Sequence, residues 1–126
     1  MTRRKPCGYA LAVIVIVSLF IWLALGMVAV YAETGKASFY GRAFHGRTMA
    51  NGKRFDMHAA VCAHRRHPFG TLLRVTNLRN GKTAVCRVAD RGPFVGGRIV
   101  DVSRGVAGKL GMIKRGVVRV TVEVVR

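Results

Sequence analysis

From Pro6 to Ala32 the chain has no charged side chain, and Arg3, Arg4 and Lys5 stand immediately before that run. A basic start followed by an apolar stretch is the pattern of a secretion signal or a membrane anchor. Val30-Tyr31-Ala32 closes the run with residues that suit a signal peptidase, which favours cleavage before Glu33. The apolar core from Ala10 to Val30 is also long enough to span a bilayer, so the alternative is an inner-membrane anchor through residues 6–32. Residues 1–32 are therefore expected to be a signal peptide or anchor. Either way residues 33–126 are exported to the periplasm or cell envelope, and the basic triplet supports that orientation. Lipidation would need a cysteine just after the run, and Cys7 lies before it.

The exported part is 94 residues, enough for one compact domain. It carries 19 Lys and Arg against Glu33, Asp56, Asp90, Asp101 and Glu123, a formal charge of +14. Such a charge implies an anionic partner. For an exported domain that is the cell wall, a membrane surface or solubility alone, and export argues against nucleic acid. Cys62 and Cys86 are an even pair in an oxidising compartment. They fit a disulfide closing a loop of about 24 residues, with two buried free thiols as the alternative.

Residues 35–41 (GKASFYG) read as a first strand, and Arg42 to Lys53 as turns around His45-Gly46 and Asn51-Gly52. Phe55 to His64 has Met57, Ala60, Val61 and His64 at helical spacing, which predicts a short helix with Asp56 at its N-terminus. Thr71 to Leu78 and Lys82 to Ala89 alternate as strands joined by an Asn80-Gly81 hairpin turn. Arg98 to Ser103 is a strand feeding a helix from Arg104 to Leu110 that Gly111 stops. Val117 to Val125 is a last strand with Val118, Val120, Val122 and Val124 on one face. Short strands with Gly-rich turns point to a small, mainly β barrel with one or two short helices.

Few groups can move protons. Glu33 lies at the processing junction and Glu123 inside the last strand, which leaves Asp56, Asp90 and Asp101. Asp90 follows a strand and opens the loop Arg91-Gly92-Pro93-Phe94, a rim position from which a rigid scaffold presents a functional group; the plainer reading is a turn cap. His64 is either a carboxylate's partner or a histidine at a helix end. Cys62, His64, His67 and Cys86 also allow a four-ligand zinc site, although their spacing is no familiar finger and export favours the disulfide. There is no Gly-x-Ser-x-Gly and no phosphate-binding Gly loop.

In order, GKASFYG (35–41), FHGRTMANG (44–52), FDM (55–57), AHR (63–65), PFGT (68–71), VTNL (75–78), DRGPF (90–94), GRIVDVS (97–103) and LGM (110–112) resemble the rare lipoprotein A family. The resemblance runs almost unbroken from Gly35 to Val124. It implies a six-stranded double-psi β-barrel over residues 33–126, the fold shared with expansins and some lytic transglycosylases. It also implies endolytic lytic transglycosylase activity on peptidoglycan in wall remodelling or septation, with no cofactor and no metal. The bond from N-acetylmuramic acid to N-acetylglucosamine is cut to leave a 1,6-anhydro end. One carboxylate can act as both acid and base there, unlike the paired carboxylates of most glycosidases. Carried onto this chain, Asp90 is the catalytic acid with Asp56 and His64 supporting it; Lys53, Tyr40, His45 and Arg91 are the expected substrate-binding residues. The family often has Glu where this chain has Lys53, and a lysine cannot donate a proton as a carboxylic acid does at neutral pH. The alternative function is a non-catalytic, expansin-like barrel that grips peptidoglycan.

Overall fold

The structure is a computed structural model that describes residues 32–126. The signal or anchor expectation lies outside the described residues, save Ala32. Among the described residues no helix is long and apolar enough to cross a membrane. Six strands are found: β1 (Ala32–Tyr40), β2 (Val61–Ala63), β3 (Leu72–Asn77), β4 (Thr83–Asp90), β5 (Arg98–Ser103) and β6 (Val117–Val124). One helix, α1 (Arg104–Lys109), follows β5, and a single 3-10 turn covers Arg42–Phe44. The strands close into a barrel in the order β1-β5-β2-β4-β3-β6.

Alternation builds the interior. Leu73, Val75, Ala84, Cys86, Val100, Val102, Val120 and Val122 all point inward and are buried in one cluster. In-register pairs share a face, so Leu73 opposite Cys86 and Val75 opposite Val122 stack in layers across the barrel. Cys62 and Cys86 are joined by a disulfide inside this core, with Cα atoms 5.8 Å apart. Asn77 is buried but satisfied, its amide donating to the carbonyl of Leu110.

β1 begins at Ala32, so Glu33 is part of the barrel: it pairs with Val122 of β6. The expected helix from Phe55 to His64 is absent. Asp56 turns the chain by accepting the N–H of His58 through its side chain and that of Ala59 through its carbonyl, and Val61–Ala63 then enter the barrel as β2 between β4 and β5. The apolar spacing served a different surface: Met57 and Phe55 bury outside the barrel with Met49 and Ala89. The helix expected at Arg104 does form, and Ser103 caps it by accepting the N–H of Val106. It packs so closely on the turn before β2 that a Cβ at Gly105 would lie 2.7 Å from the carbonyl oxygen of His58.

The Cys62–Cys86 bridge closes a loop of 24 residues, which in the chain-entropy account stabilises the fold by roughly 3 kcal/mol. Denaturant unfolding of the reduced protein is expected to show a loss of about that size. An unchanged midpoint on full reduction would contradict the account.

Candidate active site

Asp90 and Arg98 face outward because of two irregularities in the strand ladder. Along β4, Ala84, Cys86 and Val88 face the interior, and strict alternation would send Asp90 inward after them. Instead the register shifts: Cys62 pairs with Val88, but the next residue, Ala63, pairs with Asp90. Ala89 is the extra residue, and the bulge turns Asp90 to the outer face. β5 repeats the device. Lys36 pairs with Arg98 and Ala37 with Val100, so Ile99 is passed over and Arg98 shares the outer face with Asp101. Ala63 also pairs with Asp101, which pairs with Ser38. Asp90, Ala63, Asp101 and Ser38 thus form a row across four adjacent strands. Two strand spacings of about 4.8 Å separate the two carboxyl-bearing backbones, and only a methyl group stands between them.

This row is the floor of a cleft of about 460 Å³. One wall is the segment from Gly41 to Ala60, docked on the β4 bulge: Asn51 donates its N–H to the carbonyl of Ala89, and Ala50 donates its N–H to Asp90 Oδ1 at 2.9 Å. The other wall is the loop after β4, whose Arg91 N–H also donates to Asp90 Oδ1 at 2.9 Å. Two backbone donors therefore fix Asp90 through one oxygen, while Oδ2 has no partner among the described residues. Asp101 sits in a drier place. Burial pushes its carboxyl up to about 6, against the opposing effects of the Ser38 hydroxyl, which donates to Oδ1 at 3.1 Å, and of Arg98. The nearby Asp90 pushes it further up. Two carboxyls in one cleft thus have unlike environments, the arrangement that separates a proton donor from a charged partner.

Tyr40 completes the floor. Its ring is held by Phe55 at 4.5 Å and edge-on by Phe44 at 5.8 Å. Its hydroxyl is buried and has no hydrogen-bond partner among the described residues. Burial raises the phenol's pKa, with Asp90 and Asp101 acting the same way, so the group stays a neutral O–H donor.

Of the residues expected at the site, Tyr40, Asp90 and Arg91 line the cleft. Asp56, His64, Lys53 and His45 do not. Asp56 is the exposed cap of its own turn. His45 accepts the N–H of Met57, and Lys53 is exposed in the turn that follows Met49. Arg91 is largely occupied: it donates to the carbonyls of His64 and His67, and its guanidinium lies 4.0 Å over the Phe69 ring.

His64 is buried beyond the end of β2 and bonds Glu33 instead of a cleft carboxylate, with Nε2 and Oε1 2.7 Å apart. Its Nδ1 accepts the N–H groups of Arg66 and His67 at 3.1 and 3.2 Å, so the ring proton belongs on Nε2 and is given to Glu33. Burial lowers the pKa of His64, more than Glu33 raises it, which suits this neutral tautomer. His67 Nε2 lies 3.8 Å from the same carboxylate. Glu33, His64 and His67 bring three ligand atoms close together, but a metal would need the Nε2 lone pair of His64, whose Nδ1 already receives two donors. The zinc set with Cys62 and Cys86 is removed by the disulfide. The cluster is a strut that holds the segment gripped by Arg91.

Sequence reasoning kept Asp101 among three candidate acids without giving it a role, and passed over Ser38 and Arg98. Only the Ile99 bulge puts Arg98 and Asp101 on one face.

Residues 32–122 match the family model described as lytic transglycolase. The chain is 52% identical over 92 residues to the probable endolytic peptidoglycan transglycosylase RlpA of Synechocystis sp., covering 73% of this chain and 29% of that protein. It is 49% identical over 96 residues to the endolytic peptidoglycan transglycosylase RlpA of Neisseria meningitidis serogroup A, covering 76% of this chain and 40% of that protein. The chain thus spans well under half the length of these relatives. An expansin of Clavibacter michiganensis superposes with a TM-score of 0.61 at 23% identity, covering 76% of this chain and 51% of its own, a likeness of fold alone. The barrel is of the double-psi type.

Two outcomes follow from the geometry. Tyr40→Phe keeps the ring and deletes a hydroxyl that bonds nothing in the protein, so the unfolding midpoint should hold or rise; a loss above about 1 kcal/mol would mark the hydroxyl as structural. Asp101 has a raised folded-state pKa, so its contribution to stability is full below the ordinary carboxylate value near 3.8 and is lost as pH rises through about 6. Asp101→Asn should therefore become more favourable, relative to the wild type, between pH 4 and pH 7. Parallel stability curves over that window would refute the assignment.

Proposed function

The chain belongs to the lytic transglycolase family, and on that premise we propose that residues 32–126 cut peptidoglycan glycan strands endolytically, outside the cytoplasm, the activity named for the relatives. The observation that carries this reading is the pair Asp90 and Asp101 on one cleft floor, with Ala63 between them and one carboxyl kept protonated toward neutral pH by burial.

The chemistry needs a proton on the glycosidic oxygen as its bond to the anomeric carbon of N-acetylmuramic acid breaks. The muramyl 6-hydroxyl then forms the new bond to that carbon and releases its own proton, so one proton is lent and one returned, and no water is consumed. The resemblance gives the acid role to Asp90. Burial supports assigning the proton to Asp101, which donates it to the leaving oxygen and recovers one from the 6-hydroxyl. Asp90, fixed by two backbone N–H groups, serves as the carboxylate that stabilises positive charge developing at the anomeric carbon. Asp56 and His64 act on the site only through the turns and struts they hold, and Lys53 takes no part in proton transfer.

Digestion of amidase-stripped peptidoglycan by the purified chain should release 1,6-anhydro ends. Asp90→Asn and Asp101→Asn should each lower the rate by about 100-fold or more, while Asp56→Asn retains most of it. Sedimentation of the wild type with sacculi, without anhydro products, would instead leave a wall-binding barrel.

A further inference from the structure

Large apolar side chains exposed one at a time need no explanation, but several at the mouth of one cleft do. Phe94 is 81% exposed, Val95 54% and Phe44 46%, and all three line the cleft that holds Asp90 and Asp101. They come from both walls. Phe44 ends the 3-10 turn after β1, where its edge meets Tyr40 and the Arg47 guanidinium lies 5.4 Å from its ring centroid. Phe94 follows Gly92 and Pro93, in a loop closed by the Arg98 N–H donating to the carbonyl of Val95. Gly92 has a φ of +123°, a backbone conformation that favours glycine and sets the loop that carries Phe94.

The two other exposed phenylalanines have cationic neighbours: Phe69 is covered by Arg91 and Phe44 is flanked by Arg47. Phe94 has neither an aromatic nor a cationic partner among the described residues. A ring held out by a short, turn-closed loop beside two carboxyls has the form of a binding platform. A pyranose in a β-linked glycan fits it, because equatorial substituents leave the C–H groups on its two faces free to lie on an aromatic ring.

We propose that Phe94 is a stacking subsite for a sugar ring next to the bond that is cut, with Phe44 as a second platform on the opposite wall. The ligand class is a β-1,4-linked oligosaccharide of N-acetylated pyranoses. The proposal rests on the glycan reading above. It separates affinity, supplied by the aromatic rim, from proton transfer, supplied by the carboxyl row.

The test uses the full chain and peptide-free oligosaccharides of alternating N-acetylglucosamine and N-acetylmuramic acid, with binding read by calorimetry and cleavage by 1,6-anhydro product. Phe94→Ala should weaken binding 5- to 20-fold and lower kcat/KM by a similar factor, and Phe94→Trp should restore both. Phe94 is so exposed that the alanine variant should keep the wild-type unfolding midpoint. If Phe94→Ala binds as the wild type does while the wild type cleaves, the subsite is wrong and the transglycosylase reading stands. If the wild type binds but does not cleave, and Phe94→Ala weakens binding, the subsite stands and the cleavage reading fails. A wild type that does not bind these oligosaccharides overturns the subsite directly.

Discussion

A closed six-stranded barrel spends every second side chain on its interior, and in this chain the interior is almost wholly aliphatic. A charge on such a strand reaches solvent only where the alternation sends it outward or where the alternation is broken. The β4 bulge at Ala89 and the β5 bulge at Ile99 break it, and what they expose is Asp90 and Arg98. Unbroken pairing would drive the Asp90 carboxylate into a core of valines and a disulfide, at a cost of several kcal/mol for an unpaired charge. The cleft is the outer surface of those two register shifts.

The bulge also explains the wall beside it. Ala89 and Asp90 offer a carbonyl and a carboxylate oxygen to the backbone of Asn51 and Ala50. Once that segment is docked, Met49, Phe55 and Met57 can bury against Ala89, and Tyr40 is sandwiched. This small second core packs against the Tyr40 ring at the edge of the floor. Burial raises the Asp101 pKa to about 6, and the Tyr40 hydroxyl is buried without a partner among the described residues. On the far side, Glu33 and His64 hold the segment that Arg91 grips, so the loop carrying Phe94 is braced from outside the cleft.

The β-branched final strand, the Asn80-Gly81 hairpin and the Ser103-capped helix each follow from local rules, and the inward face of β6 was legible to the residue. The segment from Phe55 to His64 was not, because its apolar spacing satisfies a helix as well as a turn folded over a barrel wall. Two partner strands, unseen in a local window, decide for β2. Asp90 was legible as a loop-opening carboxylate and through the family blocks. Its companion was not: Asp101 sits in an ordinary alternating strand, and nothing in Arg98 to Ser103 announces that Ile99 is skipped. The structural role of Glu33 was not legible either, because its partner, His64, is distant in sequence and adjacent only once the barrel has closed. The +14 charge, conspicuous in the composition, says least about the site, where Arg98 acts mainly by opposing the rise in the Asp101 pKa.

The central claim is that a register shift in β4 brings Asp90 onto the floor beside Asp101, whose burial raises its pKa to about 6. The direct test is a carboxyl-carbon NMR titration of Asp101 in the wild type and in Asp90→Asn. The account predicts a midpoint near 6 in the wild type that falls when Asp90 loses its charge, yet stays above the ordinary carboxylate value because burial is the larger cause. A wild-type midpoint near 4, unchanged in Asp90→Asn, would contradict it.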